Sequence, residues 1–216
     1  RMDRIKILFA CLVAMFAATQ RSDAQLALSL GASFPGTVYT DNGYDNYYAK
    51  LRIGFDVGAQ YNFSINKYLD AIVSADFIRH GLGKMAQNQM GFEYSRYPSY
   101  LNFPLMAGVA CKIDFDGQGF INPSHHAFIE VKAGANASTQ TRAVFTDKNG
   151  VKQTRRYSVG FAPAFSVGAG MRFSDHGAIS IRFVDLGDIR LHERGDNGSE
   201  LRYSPRMVDI RYSYYF

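Results

Sequence analysis

The residues of this chain most able to do chemistry are charged side chains that recur at alternate positions of strand-like segments. They are Asp56, Asp70, Asp76, Glu130 and Asp209 against Arg52, Lys112, Lys132, Arg172, Arg182 and Arg211. On the inner face of a narrow barrel, these acids and bases would form a paired network. Such a network admits a plug of salt bridges or a gated path for ions or protons. An eight-stranded interior is only wide enough for side chains, which favours the plug. Catalysis needs a nucleophile or acid–base pair within reach of each other. His80, His125, His126, His176 and His192 are instead scattered along the chain. His80 with Asp76, and His192 with Glu193, lack a positioned serine, so a non-enzyme is expected. His125 and His126 are adjacent and would point to opposite faces of a strand, a poor start for a metal site. No cofactor and no metal is expected.

Composition restricts the setting. The 216 residues suit one domain, and a formal charge of +5 without a basic stripe argues against a nucleic-acid groove. Tyr, Phe and Gly are common, as in all-β chains. Cys11 lies in the leader, so Cys111 stands alone in the mature chain; on an apolar face it reads as a small hydrophobe.

Residues 1–24 read as a cleaved signal peptide. A basic stretch from Arg1 to Lys6 precedes the apolar run Ile7 to Ala18, and Ser22-Asp23-Ala24 places small residues at a cleavage site before Gln25. The apolar run is short of the roughly 20 residues a spanning helix needs. Two alternatives stay open: a loose lipoprotein box at Leu8-Phe9-Ala10-Cys11, and a buried N-terminal helix.

Residues 25–216 alternate with a period of two. One face reads Leu51, Ile53, Phe55, Val57, Ala59, Tyr61 and Phe63; another reads Leu101, Phe103, Leu105, Ala107, Val109, Cys111 and Ile113. Similar runs begin at Leu26, Leu69, Ala127, Val159, Ile179 and Val208, giving eight strands. Ile72 breaks the pattern of its strand. A lipocalin-like barrel or a secreted sandwich would alternate as well. Three features favour apolar residues facing outward to lipid. Several runs are long enough to cross a bilayer, about 9–11 residues. The polar face Ser158, Gly160, Ala162, Ala164, Ser166, Gly168, Gly170, Arg172 is small up to its last residue, which gives the long charged side chains of opposite strands room in a narrow lumen. Connections alternate between long (36–50, 80–99, 138–157, 187–204) and short (64–68, 174–177), the outer-membrane arrangement. The 114–126 connection is longer than this pattern wants. The expectation is an all-β, eight-stranded antiparallel up-and-down transmembrane barrel in the cell outer membrane, with outer-membrane lipids as its surroundings.

Pro104 and Pro163 lie inside strands, so a bulge or locally unpaired edge is expected at each. Asn42-Gly43, Asn149-Gly150 and Asn197-Gly198 mark hairpin turns in three long connections, and 141–157 reads as a β-hairpin above the membrane. Such ribbons present edges for a protein partner or are solvated tips with none. Tyr39, Tyr44, Tyr47, Tyr48, Tyr94, Tyr97 and Tyr100 read as an interfacial girdle. Arg194-Gly195-Asp196 matches an integrin-binding tripeptide, a pattern also common at turn tips.

Tyr100-Leu101-Asn102-Phe103-Pro104-Leu105, Phe128-Ile129-Glu130-Val131-Lys132-Ala133-Gly134 and Val167-Gly168-Ala169-Gly170-Met171-Arg172-Phe173 resemble the PorT-like outer-membrane β-barrel family. These are small barrels of OmpX/OmpA-like shape, of Bacteroidetes type. Tyr212, Tyr214 and Phe216 resemble the C-terminal signal read by barrel-assembly machinery, which the resemblance implies as a partner during insertion. It implies fold and location more than activity. The functional expectation is a structural or surface-interaction barrel, or an accessory subunit of an outer-membrane assembly, with secretion as one role known in the family. The competing class is a lipid-modifying enzyme acting on lipid A acyl chains. Intact-mass measurement of protein extracted from membranes checks the leader; the expected mature chain begins at Gln25.

Overall fold

A computed structural model describes residues 24–41, 46–50, 52–81, 93–96, 98–114, 121–122, 124–146, 150–194 and 200–216. Residues 1–23 of the expected 1–24 leader, Leu51, Tyr44, Tyr97, Asn42-Gly43, Asn149, Asn197-Gly198 and Gly195-Asp196 lie outside the described residues. Fifteen strands are described. They are β1 (Ala24–Pro35), β2 (Thr37–Asp41), β3 (Asn46–Lys50), β4 (Gly54–Asn66), β5 (Leu69–Gly81), β6 (Glu93–Arg96), β7 (Ser99–Ile113) and β8 (His126–Gln140). Then follow β9 (Ala143–Thr146), β10 (Lys152–Arg155), β11 (Gly160–Arg172), β12 (Gly177–Asp185), β13 (Ile189–His192), β14 (Glu200–Tyr203) and β15 (Arg206–Tyr215).

Eight of these close a barrel in the order β1-β15-β12-β11-β8-β7-β5-β4, with β4 pairing back onto β1. Every neighbouring pair is antiparallel. Closure follows from the side-chain pattern. An apolar outer face excludes water from the strands, so each backbone N–H and C=O must find its partner in the ladder, and an open edge would leave a row unmatched. The apolar set faces outward: Phe55 is 42% exposed, Leu105 60%, Phe161 73% and Ile181 53%. On the alternate positions Asp56, Asp76, Glu130, Lys132, Arg182 and Asp209 are buried. A soluble barrel has the reverse arrangement, so this is a membrane barrel with lipid-facing apolar walls. Cys111 lies on the exposed outer face.

The short connections are 67–68 between β4 and β5 and 173–176 between β11 and β12, on the side where the chain enters β1 and ends after β15. The four long connections are not simple loops. They carry β2 and β3, β6, β9 and β10, and β13 and β14, which assemble as a four-stranded sheet (β13-β14-β2-β3) and a three-stranded one (β10-β9-β6). Three hairpins, β2–β3, β9–β10 and β13–β14, bracket the three Asn-Gly dipeptides. Gly150 has φ +78, a left-handed conformation that suits glycine at a turn.

Of the two arrangements expected at the inner prolines, both positions show the locally unpaired edge and neither the bulge. At Pro104 the β5–β7 register is the same on both sides, and only the pairs opposite Phe103 and Pro104 drop out. The Asn136 side chain accepts the Phe103 N–H at 3.1 Å, and a single polar group thus replaces the bulge. Pro163 lies beyond the last β11–β12 pair, Phe165 with Asp185, where no ladder bond to β12 is required. Tyr100 is not part of a surface girdle. It is 3% exposed and stacks on Tyr203 with ring centroids 4.4 Å apart, because its parity in β7 is that of Asn102 and Met106, which point inward. Arg52 is exposed and precedes β4 rather than lining the lumen. Ile72 keeps its parity and is buried inside the barrel, opposite Gly108.

The outward parity is testable through Leu105, near the middle of β7. Leu105→Arg places a charge against the hydrocarbon and is expected to cost about 2–4 kcal/mol relative to Leu105→Ala. Urea-titrated folding into vesicles, read by heat-dependent gel migration, measures it.

Candidate functional site

The interior is filled in three layers. At the centre, Arg182 from β12 reaches three carboxylates on three strands: Asp56 at 2.6 Å, Asp76 at 2.8 Å and Asp209 at 3.0 Å. Arg211 from β15 reaches Asp76 at 2.6 Å and Asp56 at 3.1 Å. All five side chains are 6% exposed or less. Removing one partner would leave an unmatched charge in a sealed space, a far larger penalty than loss of a surface ion pair.

Small residues on the adjacent strands make this packing feasible. Arg182 stands opposite Gly168, and Arg211 opposite Gly31. Lys132, also buried, stands between Gly108 and Ser166. A Cβ on Gly58 would collide with the Asp76 carboxylate and the Arg211 guanidinium. The glycines on the lumen face therefore provide the volume that the cations occupy. Lys132 bonds Glu130 at 2.8 Å and Gln60 at 3.0 Å, extending the charged layer toward the short-turn side.

A second polar chain joins the centre. The Ser33 hydroxyl donates to Asp209, and His80 Nε2 lies 3.0 Å from the Ser33 oxygen. The order is histidine, serine, aspartate. Since Ser33 spends its proton on Asp209, His80 must donate to Ser33, so the imidazole cannot act as its base in this arrangement. The sequence pairing of His80 with Asp76 missed Ser33, which is 47 residues away on β1. Ser33 shares its inward parity with Ser29 and Gly31, and that was the available signal.

Toward the long-connection side the lumen is apolar. The β13–β14 hairpin places Ile189, Leu191, Leu201 and Tyr203 over inward-facing Ile78, Met106, Ala162, Ala164, Val184 and Met207, all buried in one cluster. The Tyr203 hydroxyl donates to Asn102 at 2.7 Å. Burial raises the pKa of this phenol above its ordinary 10.0, so it remains a donor. Asn197-Gly198 marked this hairpin in the sequence; the apolar alternation Ile189/Leu191 and Leu201/Tyr203 flanking it is the signal for its place in the mouth. On the rim, Arg202 binds Asp188 through a bifurcated contact, and Ser204 donates to Asp188 at 3.2 Å.

The third layer lies at the short-turn mouth. Lys112 pairs with Asp70 at 2.7 Å, and Arg172 donates to Gln25 Oε1 at 2.7 Å and to the Ser174 and Asp175 carbonyls. Ile121 and His126 line this mouth. Ile121 is buried there, and Asn122 accepts from His125 N–H and bonds His126 Nδ1, which accounts for a segment longer than a tight turn. His126 is buried and His125 exposed, as adjacent strand positions require. Among the described residues no group of three or more His, Cys, Asp or Glu could hold a metal.

Of the sequence-selected charges, Asp56, Asp76, Arg182, Asp209 and Arg211 come together in one cluster. Glu130 with Lys132 and Asp70 with Lys112 form separate pairs, and Arg172 binds neutral oxygens. Tyr212, Tyr214 and Phe216 face outward on and just beyond β15, at 46%, 42% and 64% exposure.

No family model and no curated sequence matches the chain. Among solved structures, OprG of Pseudomonas aeruginosa is similar at TM-score 0.52 and 10% identity, over 90% of this chain and 97% of that one. Ail of Yersinia pestis gives 0.48 at 13% identity, over 89% and 99% respectively. AlkL, determined in DMPC bilayers, gives 0.47 at 15% identity, over 90% and 91%. The likeness to OprG is one of fold. Together with the apolar exterior and the charged interior, it places this chain among the small outer-membrane β-barrels.

Two outcomes check the interior. Arg182→Met leaves three buried carboxylates facing one arginine and should destabilise the barrel by about 3–5 kcal/mol, read by urea unfolding in micelles. On the rim, the Arg202 hydrogen bond holds the Asp188 pKa below its ordinary 3.8. A depressed carboxyl pKa means the contact is fully present above that value and lost as pH falls through the lower, folded one. Proteolysis at 200–204 should therefore rise below about pH 4 in the native protein. In Asp188→Asn this acid-dependent rise should be absent.

Proposed function

We propose that this protein is a non-enzymatic outer-membrane barrel that works through its outer surface, as a structural or surface-interaction protein or an accessory subunit of an outer-membrane assembly. The observation that carries this reading is the sealed interior. The Arg182 cluster fills the centre and the β13–β14 hairpin fills the mouth above it. With the lumen filled among the described residues, the exposed working surface is the pair of small sheets above the membrane. A protein partner joined at the edge of such a sheet would add a strand by backbone hydrogen bonding. The PorT-like resemblance makes a secretion-related assembly one candidate, and barrel-assembly machinery reading Tyr212, Tyr214 and Phe216 is the partner proposed for insertion.

The competing reading is a lipid-modifying enzyme, favoured by the Ser33–His80 contact. Two facts weigh against it: Ser33 donates to Asp209, and both Ser33 and His80 are fully buried within the barrel.

In planar bilayers the purified protein should show no large, steady single-channel currents; such currents would defeat the plugged reading. Mild-detergent pull-down should recover a stoichiometric outer-membrane protein. Lipid A mass spectra with and without the gene should be identical, whereas an altered acyl pattern would establish the enzyme.

A further inference from the structure

We propose that the outer-leaflet side of the barrel wall carries a binding site for lipid A, with the Arg79 guanidinium as its phosphate contact and a furrow along β8 for one acyl chain. This inference rests on the outward parity of the strands and stands independently of the function proposed for the surface sheets.

Arg79 occupies an outward position of β5, two residues after Phe77, and is exposed. Ten residues along the strand separate it from Leu69 at the short-turn end. At about 3.3 Å per residue and a tilt of about 40°, that run climbs about 25 Å, the height of the apolar band of an outer-membrane barrel. Arg79 therefore stands where hydrocarbon gives way to headgroups, on the side of the long connections, which in such barrels is extracellular. The wall around it is apolar. Phe55 lies opposite on β4 and Leu101 opposite on β7. The Phe77 ring is 5.7 Å from that of Phe55 and 5.1 Å from that of Phe103. Among the described residues the one polar partner of the guanidinium is the Ser99 hydroxyl, at 3.3 Å. The chain that follows β5, residues 82–92, contains no Asp or Glu. Arg206, outward at the start of β15, shows the contrast, since it pairs with Asp185 at 2.9 Å. A cation set among phenyl rings and a leucine at the edge of hydrocarbon needs a counter-anion, and the anion present at that depth is a lipid phosphate.

The arginine is also positioned. Ser99 is fixed in turn by Thr141: its N–H donates to the Thr141 hydroxyl at 2.7 Å, and its carbonyl accepts the Thr141 N–H at 2.8 Å. Of the five guanidinium N–H donors one is used on Ser99, and the rest remain for phosphate oxygens, which a planar fork meets two at a time. The neighbouring wall distinguishes an acylated lipid from a lone anion. Ala133, Ala135 and Ala137 are successive outward residues of β8, and Ala137 lies between Phe103 of β7 and Phe161 of β11. Phe103 and Phe161 are both exposed, so the alanines floor a furrow with phenyl rings at its upper walls. Two strand spacings, about 10 Å, separate this furrow from Arg79. A diglucosamine headgroup bearing several acyl chains covers both, whereas a free phosphate ion occupies only the first.

The test counts lipid retained by the full-length mature protein in non-ionic detergent, read by native mass spectrometry. Separate samples receive lipid A, lipid A stripped of its phosphates, and phosphatidylglycerol. One lipid A per barrel should be retained, and removal of its phosphates should lower retention about tenfold, the weight of one charge-assisted contact. Arg79→Gln should lower it to the same extent, and Ala137→Phe, which fills the furrow, should lower it as well. Arg206→Gln should leave it unchanged. Heat-dependent gel migration verifies that each variant is folded. Retention indifferent to Arg79→Gln, or to loss of the phosphates, would overturn the site. Equal retention of phosphatidylglycerol would overturn its assignment to lipid A.

Discussion

Surrounding the strands with hydrocarbon removes the one alternative partner, water, that backbone amides have elsewhere. Every other feature of this protein follows from that constraint. The sheet must close, and once closed it has only two faces, so each residue's parity decides whether it meets lipid or the lumen. Phe55, Leu105 and Ile181 are exposed for the same reason that Asp56, Lys132 and Arg182 are buried. Even Pro104 obeys it: the ladder loses pairs there without shifting register, and the Asn136 side chain takes over a donor that would otherwise be unmatched.

A narrow lumen then sets its own problem, since charges withdrawn from water must be matched by other charges. Arg182 solves it by meeting three carboxylates from three different strands, a geometry that ties β4, β5 and β15 to β12 across the barrel axis. The glycines opposite the arginines are the complement of this arrangement. A lumen face reading Gly, Ser, Ala is therefore not weakly specified; it is the space in which the long cations lie. Charge pairing gives the barrel a matched interior, while the apolar hairpin above it adds a layer of ordinary hydrophobic packing.

The two ends of the barrel differ in kind. Above the membrane, seven short strands extend the wall into two small sheets, one of which folds its β13–β14 hairpin back into the mouth. Below it, the short turns border a cavity lined by Asp70, Lys112, His126 and Arg172 among other polar groups.

The alternation from Leu26 to Phe216, the small residues of 158–170 and the uneven connection lengths were enough to establish the eight barrel strands and their outward apolar face. These are local, period-two properties, and closure in lipid makes local parity decisive. Tyr100 shows how far that logic reaches, because its place in β7 already assigned it to the interior despite its type. What parity cannot supply is distance across the barrel. That Ser33 stands between His80 and Asp209, that Arg182 gathers Asp56, Asp76 and Asp209 while Arg172 meets only neutral oxygens, and that Ile189, Leu191, Leu201 and Tyr203 fill the mouth all depend on the stagger and axial height of strands far apart in sequence. Those contacts come from the closed three-dimensional sheet alone, because pairing register around the whole circle, and not any single strand, fixes which inward side chains share a level.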